Sequence, residues 1–477
     1  MKKIFSTSNI FFIISIVALT SISYPQQKKS NLEKEINKII STDFFKSSQI
    51  TIDIYNLTTQ KFLLRKNEKL LLRPASTIKI LTTAASLLFL DNFSYKTSLY
   101  YNGNLKDSIL TGNLFLVGGL DPEFSLRDLD SLVSEIKKCG IKEIRGNIIA
   151  DVSALDSLFW GNGWMWDDDP EPSSPYLSAL NINYNCVSVN YAPDFVGKPA
   201  LISIIPQSNY FNVINNSRTT ENKTTPLKIS RDWINRSNNI TVTGEISVNE
   251  KSDHTLLNVF NPPNFFLTLF KENLIRNGIS FEGKLKISSL ERDAKEIFSY
   301  YREIDTVLIN VNKNSNNLGS EMLLRAMALK YFGKPASAKN GIKLIDSLIT
   351  IVGMDPKQYK IADGSGLSFY NLISAELLTE ILKFFYQNNK WIFTKLFNSL
   401  PVAGVDGTLK DRMKNSLVFQ NVNAKTGTIS GVSNLSGYLT NKSNHLIAFT
   451  IMIQNFTSPQ KVIRDLQDKI CEIIYNN

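Results

Sequence analysis

The stretch Arg73-Pro74-Ala75-Ser76-Thr77-Ile78-Lys79 decides the fold expected for this chain, together with two shorter motifs that follow it. These are Ser315-Asn316-Asn317 and Lys425-Thr426-Gly427. Each motif alone is weak, because a serine three residues before a lysine also occurs at the start of ordinary helices. Together they supply a nucleophile with a base one turn away, a proton relay and a cationic strand. This combination indicates chemistry on an amide bond.

The first motif is predicted to lie at the start of a buried helix. Pro74 opens this helix, which runs through Leu90 and is apolar nearly all round. Ser76 and Lys79 then share one face, and the serine lies near the positive end of the helix. A serine hydroxyl becomes a good nucleophile only when a base takes its proton. We expect a neutral Lys79 to be that base, because burial and a second cation, Lys425, favour the loss of its proton.

The other two motifs supply the relay and the substrate contacts. Ser315 can pass a proton to the leaving amine or pair with the lysine base, and Asn317 can donate to a substrate carbonyl. On an edge strand, Lys425 attracts a carboxylate, and the hydroxyl of Thr426 can bond the same carboxylate. Gly427 has no side chain to block a substrate that lies alongside the strand.

Backbone groups are predicted to complete the site. The N–H groups of Ser76 and Thr428 can form an oxyanion hole, a contribution typically worth a few kcal/mol. Taken alone, Ser315-Asn316-Asn317 is also consistent with a polar loop that caps the helix beginning at Gly319. The functional interpretation therefore depends on the three motifs occurring together.

The composition excludes several other hydrolases. The chain has 477 residues and only two histidines, His254 and His445. A Ser-His-Asp hydrolase needs one of them as its base, and a zinc hydrolase usually needs at least two. Both are expected at the surface, no spacing suggests a metal site, and no cofactor is expected. Three cysteines, Cys139, Cys186 and Cys471, leave open whether one pair is bridged.

The N-terminal residues 1–23 are predicted to be a cleaved secretory signal peptide. Two lysines precede an apolar run from Ile10 to Ile22, and small residues stand where a signal peptidase cuts. The run is short for a membrane span, although an uncleaved anchor stays an alternative. The mature protein is expected to be soluble. Its net charge of +10 favours anionic envelope polymers or lipid head groups over nucleic acid, although scattered lysines also fit a composition bias.

The apolar pattern predicts an α+β fold, with an antiparallel sheet, terminal helices on one face and a helical cluster on the other. Helices are expected at 31–47, 74–90, 126–138, 264–277, 319–332, 372–387 and 459–475, and strands at 49–55, 61–65, 435–440 and 446–454. Residues 95–298 show short strands alternating with turns, which indicates an insertion into one domain. The predicted division is a catalytic domain at 31–95 and 298–477, a mixed α/β domain at 96–160 and 255–297, and a β-rich domain at 161–254.

The residues around the motifs indicate a known family. Besides the first stretch, the chain contains Ala362-Asp363-Gly364-Ser365-Gly366-Leu367-Ser368, Leu400-Pro401-Val402-Ala403-Gly404-Val405-Asp406-Gly407-Thr408, Ala424-Lys425-Thr426-Gly427-Thr428 and Asn434-Leu435-Ser436-Gly437-Tyr438. With these segments it resembles the D-alanyl-D-alanine carboxypeptidases/endopeptidases of peptidase family S13, the class C low-molecular-mass penicillin-binding proteins. The resemblance covers essentially the whole mature chain. It implies a β-lactamase/transpeptidase-like domain that carries two extra domains.

The resemblance implies a serine acyl-transfer hydrolase that acts on peptidoglycan stem peptides. Ser76 would attack the carbonyl of the penultimate D-alanine, with Lys79 as base and Ser315 as relay. Lys425 and Thr426 would hold the terminal carboxylate, and water would release the acyl-enzyme. β-Lactams are expected to inhibit by acylating the same serine. The resemblance leaves a homodimer open and implies at most peripheral membrane contact.

The chain departs from the family pattern in a few places. Asn316 stands where an Asp is common, with a side chain expected to face away from substrate. Asp151 falls where members that grip the free amino end of diaminopimelate carry an acid, although it also fits a strand-end turn. Phe369 and Ser430 stand where some members have Arg and Gln. The run Asp167-Asp168-Asp169 lacks a calcium-loop pattern and is expected to be a solvated acidic loop.

Two other functions stay open. A β-lactamase would use the same chemistry with fast deacylation, and the whole-chain resemblance argues against it. A catalytically weak envelope-binding scaffold of the same fold would have lost motif residues, and they are intact here. We expect an exported, periplasmic protein. The balance between carboxypeptidase and endopeptidase activity, the third stem residue and the oligomeric state are left open.

Overall fold

The computed structural model describes residues 31–477. The predicted signal peptide at 1–23 lies outside the described residues. Within 31–477, the helices are too short or too polar to cross a membrane.

Both helices and strands are spread along the described chain, and we number them in chain order. The α-helices α1 to α10 in the described residues are Asn31–Ile40, Lys79–Phe89, Leu126–Lys138, Pro262–Arg276, Ile304–Lys313, Asn317–Phe332, Ala338–Ile351, Ala375–Asn388, Lys390–Ser399 and Gln460–Asn476. The strands β1 to β20 are Gln49–Asn56, Lys61–Lys66, Ser94–Tyr101, Asn104–Lys106, Ile109–Thr111, Leu114–Val117, Glu143–Ile144, Ile148–Asp151, Cys186–Ala192, Leu201–Ile205, Asn212–Thr220, Lys228–Arg231, Asn239–Ser247, Asp253–Asn258, Ser280–Phe281, Leu285–Ile287, Lys295–Glu303, Val422–Ile429, Val432–Thr440 and Leu446–Gln454.

The three motifs lie on or beside a five-stranded sheet in the order β18-β19-β20-β1-β2. All neighbouring strands in this sheet are antiparallel. Both faces of the sheet are covered. Helices α1 and α10 bury Leu32, Ile36, Ile463 and Ile470 against one face. Helices α2, α6, α7, α8 and α9 form a second core that reaches the other face at Tyr438, Ala448 and Met452. Because both faces are buried, β20 is apolar along nearly its whole length.

The region between the first two motifs leaves and rejoins this domain at one place. Strands β3 and β17 pair antiparallel, so that Ser94 lies opposite Glu303. They belong to a mixed sheet, β16-β8-β6-β3-β17, on which α3 and α4 pack around a separate apolar core. A four-stranded sheet, β15-β7-β5-β4, and two three-stranded sheets, β10-β9-β14 and β11-β13-β12, complete the region. The division into domains stays a prediction.

The two predicted helices nearest the N-terminus have different bounds in the structure. The helix expected at 74–90 begins as a 3-10 turn, Ala75–Ile78, and becomes α-helical only at Lys79. Ala75 has a φ of 45°, which is incompatible with an α-helix, so the α-helix does not extend back to Pro74. The helix expected at 31–47 ends at Ile40 and is followed by a separate 3-10 turn.

The three cysteines are unbridged thiols in the structure. Cys139 is exposed, whereas Cys186 and Cys471 are buried. Burial raises the pKa of the Cys186 thiol to about 12, so this thiol stays protonated at neutral pH. The bridged pair that the sequence left open is therefore absent from the described residues.

Candidate active site

Ser76 lies on the 3-10 turn that leads into α2, and Lys79 is the first residue of the α-helix. Lys79 Nζ donates to Ser76 Oγ at 2.8 Å. The side chains of Ser76 and Lys79, three residues apart in sequence, meet because the tight turn leads directly into the helix. The structure places the predicted nucleophile and the predicted base in direct contact.

Lys79 is completely buried, and this burial sets its chemistry. Desolvation lowers the pKa of Lys79 to about 7, against the opposing charges of Asp363 and Glu321. Besides Ser76, its ammonium donates to Asn317 Oδ1 at 2.6 Å and to the Ser365 carbonyl at 2.5 Å. A lysine with a pKa near 7 is partly neutral at physiological pH and can accept the serine proton.

The two buried carboxylates near Lys79 are functional residues that the sequence analysis did not assign. Glu321 Oε1 accepts from the backbone N–H groups of Gly364 and Ser365, both at 2.9 Å. Its other oxygen pairs with buried Arg325 at 2.6 Å. These contacts fix the Ser365 carbonyl opposite the lysine. The available signal was a Glu and an Arg one turn apart on the otherwise apolar helix that follows the second motif.

Asp363 holds the same loop from the other side. Its carboxylate accepts from Ser365 Oγ at 3.0 Å, from the Gly366 N–H at 2.9 Å and from Trp164 Nε1 at 2.8 Å. The segment 362–368 supported the family resemblance without a role being given to it. The structure shows that it forms one wall of the Lys79 site.

Ser315 and Lys425 form the second polar pair. Ser315 lies in the short link between α5 and α6 with a φ of 58°, and its Oγ accepts from Lys425 Nζ at 3.0 Å. Burial lowers the pKa of Lys425 well below its usual value, and the charge of Lys79 acts in the same direction. From sequence, Ser315 was expected to relay a proton to the leaving amine or to pair with Lys79. In the structure its hydrogen bond is instead with the strand lysine, Lys425.

Asn317, the first residue of α6, connects the Lys79 site to the inserted region. Its Oδ1 accepts from Lys79, and its Nδ2 donates to the Ser173 carbonyl at 2.6 Å. The neighbouring Asn316 caps α6, with its Oδ1 accepting from the Gly319 N–H at 2.6 Å. The Asn316 side chain therefore points at the helix end, where Asp and Asn are equivalent caps.

Strand β18 runs directly against the nucleophile turn, and Gly427 makes this approach possible. A Cβ at Gly427 would lie 2.6 Å from the Pro74 carbonyl oxygen and 3.2 Å from the Ser76 nitrogen. This is a different reason for glycine from the one inferred from sequence, which was access for substrate. Thr426 Oγ1 donates to Thr408 Oγ1 at 2.8 Å, and Thr428 next along the strand is exposed.

Asp151 lies away from this hydrogen-bonded cluster, at the end of β8. Its oxygens accept from the N–H groups of Ser153 at 2.8 Å and Leu290 at 2.9 Å. Burial raises its pKa, but these hydrogen bonds outweigh burial and hold the pKa below its usual value. Asp151 borders a cavity of about 500 Å³ that is also lined by Tyr176 and Phe260. The structure therefore brings together five predicted residues: Ser76, Lys79, Ser315, Asn317 and Lys425. Within residues 31–477, Asp151 has no hydrogen bond to any of them and instead lines the separate cavity.

Phe369 and the acidic run 167–169, both noted in the sequence, have defined contacts in the structure. Phe369 packs beneath Arg73, whose guanidinium carbon lies 5.3 Å from the ring centre. The run of three aspartates is only partly solvated, because Asp169 is buried and forms an ion pair with Arg231. Within 31–477, no group of acidic, histidine or cysteine side chains is arranged to hold a metal.

A family model supplies the decisive comparison. The model of the D-Ala-D-Ala carboxypeptidase 3 (S13) family matches residues 32–476. The chain belongs to the peptidase S13 family. The resemblance inferred from the motifs is confirmed, and the protein is a serine peptidase of the D-Ala-D-Ala carboxypeptidase class.

Curated relatives agree with this S13 assignment. The D-alanyl-D-alanine carboxypeptidase DacB of Haemophilus influenzae is 27% identical over 468 residues, which cover 96% of this chain and 95% of that protein. The D-alanyl-D-alanine carboxypeptidase of Actinomadura sp. strain R39 is 28% identical over 448 residues, covering 90% of this chain and 82% of that protein.

A solved structure confirms the predicted α+β fold. The crystal structure of penicillin binding protein 4 (dacB) from Haemophilus influenzae superposes with a TM-score of 0.80 and 26% sequence identity. The match covers 94% of this chain and 99% of that chain. It therefore includes the inserted region as well as the domain that carries the motifs.

Proposed function

We propose that this S13 peptidase is an exported serine DD-peptidase that hydrolyses peptidoglycan peptides through an acyl-enzyme on Ser76. It removes the terminal D-alanine of stem peptides and also cuts D-Ala-linked cross-bridges. The observation that carries the proposal is the fully buried Lys79, with a pKa lowered to about 7 and its Nζ 2.8 Å from Ser76 Oγ. A serine with a neutral lysine at hydrogen-bond distance is an activated nucleophile.

Acylation follows from this geometry. Neutral Lys79 takes the proton from Ser76 Oγ while the oxygen attacks the carbonyl carbon of the penultimate D-alanine. The N–H groups of Ser76 and Thr428 stabilise the negative charge on the carbonyl oxygen. Protonated Lys79 then returns this proton through the Ser315 hydroxyl, held by Lys425, to the leaving amine. The C–N bond breaks as the terminal D-alanine departs, and Lys79 is neutral again.

Deacylation repeats the steps with water as the nucleophile. Lys79 accepts a proton from water, the hydroxide attacks the ester carbonyl, and the proton returns to Ser76 Oγ as the acid product leaves. Asn317 can donate its second Nδ2 hydrogen to the carbonyl side of the substrate, because its first already bonds Ser173. Lys425 and Thr426 attract the terminal carboxylate before acylation.

Relatives support the substrate and the inhibitor class. The Haemophilus influenzae and Actinomadura proteins carry the name D-alanyl-D-alanine carboxypeptidase. The Haemophilus influenzae penicillin binding protein 4 has been crystallised with a β-lactam, at a TM-score of 0.75 to this chain. We infer that β-lactams acylate Ser76 here as well. Asp151, with an ionised carboxylate beside the 500 Å³ cavity, is the candidate contact for an amine on the third stem residue.

The cellular setting is part of the same proposal. We propose that residues 1–23 direct export, that the protein works in the periplasm, and that 31–95 with 298–477 form its catalytic domain. Its net charge of +10 favours the anionic cell wall and peripheral contact with anionic lipid. A homodimer is compatible with this role.

Muropeptide analysis tests the proposal. The purified mature protein and Ser76→Ala are incubated with a mixture of pentapeptide monomers and D-Ala-linked dimers, and the products are resolved by chromatography with mass spectrometry. We expect loss of the terminal D-alanine and conversion of dimers to monomers by the wild type only. No Ser76-dependent change in either substrate would contradict the proposal and favour a binding scaffold. Rapid release of hydrolysed penicillin without peptide cleavage would instead indicate a β-lactamase.

A further inference from the structure

Asn317, the predicted substrate contact beside Lys79, is oriented by a carbonyl from a distant part of the sequence. Its Oδ1 faces Lys79 and its Nδ2 donates to the Ser173 carbonyl at 2.6 Å. An amide that accepts at one end and donates at the other cannot flip without losing both bonds. The position of Ser173 therefore fixes which end of Asn317 faces the lysine and where its free N–H points.

The segment that carries Ser173 is clamped by Asn258, the last residue of β14. The backbone N–H of Asn258 donates to the Pro170 carbonyl at 3.0 Å. Its side-chain Nδ2 donates to the Ser174 carbonyl at 2.7 Å. Asn258 is completely buried. It therefore binds the chain both before and after Ser173, and these two bonds hold the Ser173 carbonyl in place.

Arg231, on β12, holds Asn258 in turn. Its Nε donates to the Asn258 backbone carbonyl at 3.1 Å, and one terminal nitrogen donates to Asn258 Oδ1 at 2.9 Å. The same terminal nitrogen forms an ion pair with Asp169, whose other oxygen accepts from Tyr176 OH at 2.7 Å. Arg231 is 1% exposed. The network is therefore buried and attached at both ends of the 169–176 segment.

We propose that Asn258 and Arg231 are positioning residues for catalysis, which act by holding the Ser173 carbonyl that orients Asn317. This inference rests on the proposed function, because it concerns the same acylation step. The inserted region would then contribute to catalysis, because its residues fix the orientation of Asn317 although they lie far from the three motifs in sequence. Errors in such positioning of about 1 Å can lower rates by about 100-fold.

A double-mutant cycle tests this role. The second-order rate constant of acylation by a fluorescent penicillin is measured for the wild type, Asn258→Ala, Asn317→Ala and the double variant. Each value is normalised to the fraction of protein labelled at completion, so that misfolded molecules do not contribute. We expect Asn258→Ala to lower the rate constant about tenfold or more in the wild type and less than twofold in the Asn317→Ala background, because both changes remove the same alignment.

Asn215→Ala is the matched control. Asn215 lies on β11 in the same region, and its Nδ2 also donates to a buried backbone carbonyl, that of Ala200, at 2.8 Å. We expect its acylation rate constant to stay within twofold of the wild type. If Asn258→Ala does not fold, Arg231→Lys replaces it in the cycle, since it keeps a cation beside Asp169 but loses the paired contacts to Asn258.

The possible results are distinguishable. Equal effects of Asn258→Ala in both backgrounds, or no effect in either, would overturn the positioning role while leaving the proposed function in place. A wild-type protein that penicillin does not label would contradict the proposed function, and the positioning role would fall with it. A loss confined to the background that contains Asn317 supports the inference.

Discussion

The proposed chemistry depends on Lys79, whose pKa results from a balance of burial and charge. Desolvation moves its pKa down, and the buried carboxylates Asp363 and Glu321 limit the shift. Without these carboxylates the lysine would lose its proton at still lower pH, and without burial it would stay charged at neutral pH. The value near 7 suits a group that must take a proton and return it within one turnover.

Acylation should therefore depend on pH through Lys79. Below its pKa of about 7 the lysine is protonated and cannot act as a base, so the acylation rate constant should fall about tenfold for each pH unit. Above that pH it should level off. Stopped-flow labelling with fluorescent penicillin, from roughly two pH units below the pKa of Lys79 to roughly two above it, measures this profile.

Substitution of the base gives the matching control. Lys79→Arg keeps the positive charge but cannot release a proton in this pH range, so the rate constant at neutral pH should fall by about 10²–10⁴-fold. The remaining acylation rate constant of this variant should not fall as the pH drops below about 7. A Lys79→Arg variant that is acylated at the wild-type rate would mean that another group takes the serine proton.

Asp53, on β1, is a buried carboxyl whose neutral form the fold favours. It has no exposed surface, and burial raises its pKa to about 7, although Arg65 lies 3.5 Å away and acts in the opposite direction. Between about pH 4 and pH 7 the folded protein then binds more protons than the unfolded chain, so this group makes stability fall as pH rises.

We expect Asp53→Asn to remove this pH dependence. The difference in melting temperature between Asp53→Asn and wild type should become more positive as the pH rises through about 7. Arg65 keeps a partner in Glu376 at 2.6 Å. A difference that stays constant across this pH range would show that the folded-state pKa of Asp53 is ordinary.

At the scale of elements, the proposed active site lies at the contact between the edge strand β18 and the 3-10 turn before α2. The turn gives Ser76 its position, and the strand brings Lys425, Gly427 and Thr428 beside it. Asn434, on the neighbouring strand, donates from Nδ2 to the Pro74 carbonyl at 2.7 Å and ties the turn to the sheet. Catalysis therefore depends on how closely two elements approach one another.

Gly427→Ala should separate these elements. The added Cβ would meet the Pro74 carbonyl oxygen at 2.6 Å and the Thr77 nitrogen at 3.0 Å, both of them backbone atoms. We expect acylation to slow by about 100-fold from misplacement of the nucleophile, with a loss of stability of about 1–3 kcal/mol. The control Asn423→Ala lies on the same strand and should be acylated within twofold of the wild type. Normal acylation of Gly427→Ala would mean that the strand is free to shift without cost to catalysis.

At the scale of the whole molecule, the sequence predicted the domain around the motifs better than it predicted the network behind them. Helix α3 and the strand β20 lie where the apolar periodicity placed them. Helix α8 starts at Ala375 rather than Leu372, because the Ile373 backbone pairs with Leu72 and Ser374 provides the N-cap. Such long-range backbone pairing leaves no periodic pattern in a single sequence.

The site shows the same division. Ser76, Lys79, Ser315, Asn317 and Lys425 could be predicted because each belongs to a short motif with a fixed spacing. Ser173 and Asn258 could not, because they act through backbone groups that meet only in the folded chain. Glu321 left only a weak signal, an Arg one turn away on the same helix. The need for a glycine at position 427 could not be explained correctly from sequence either. It depends on the close approach of the strand to a turn about 350 residues earlier in the chain.

Thiol accessibility tests the arrangement of the whole molecule. Cys139 is exposed, and Cys186 and Cys471 are buried in different parts of the fold. We expect one thiol to react with Ellman's reagent in the native protein and three after denaturation without reductant. Fewer than three under denaturing conditions would reveal a bridge, and rapid reaction of all three in the native state would contradict the buried positions.

The most direct test of the central claim is to locate the covalent adduct formed with penicillin. The purified protein is treated with penicillin, its mass is measured intact, and the modified residue is identified by peptide mapping. We predict one penicilloyl group per molecule, attached to Ser76 and absent from Ser76→Ala. An adduct on another residue, or no adduct on a folded protein, would contradict the account.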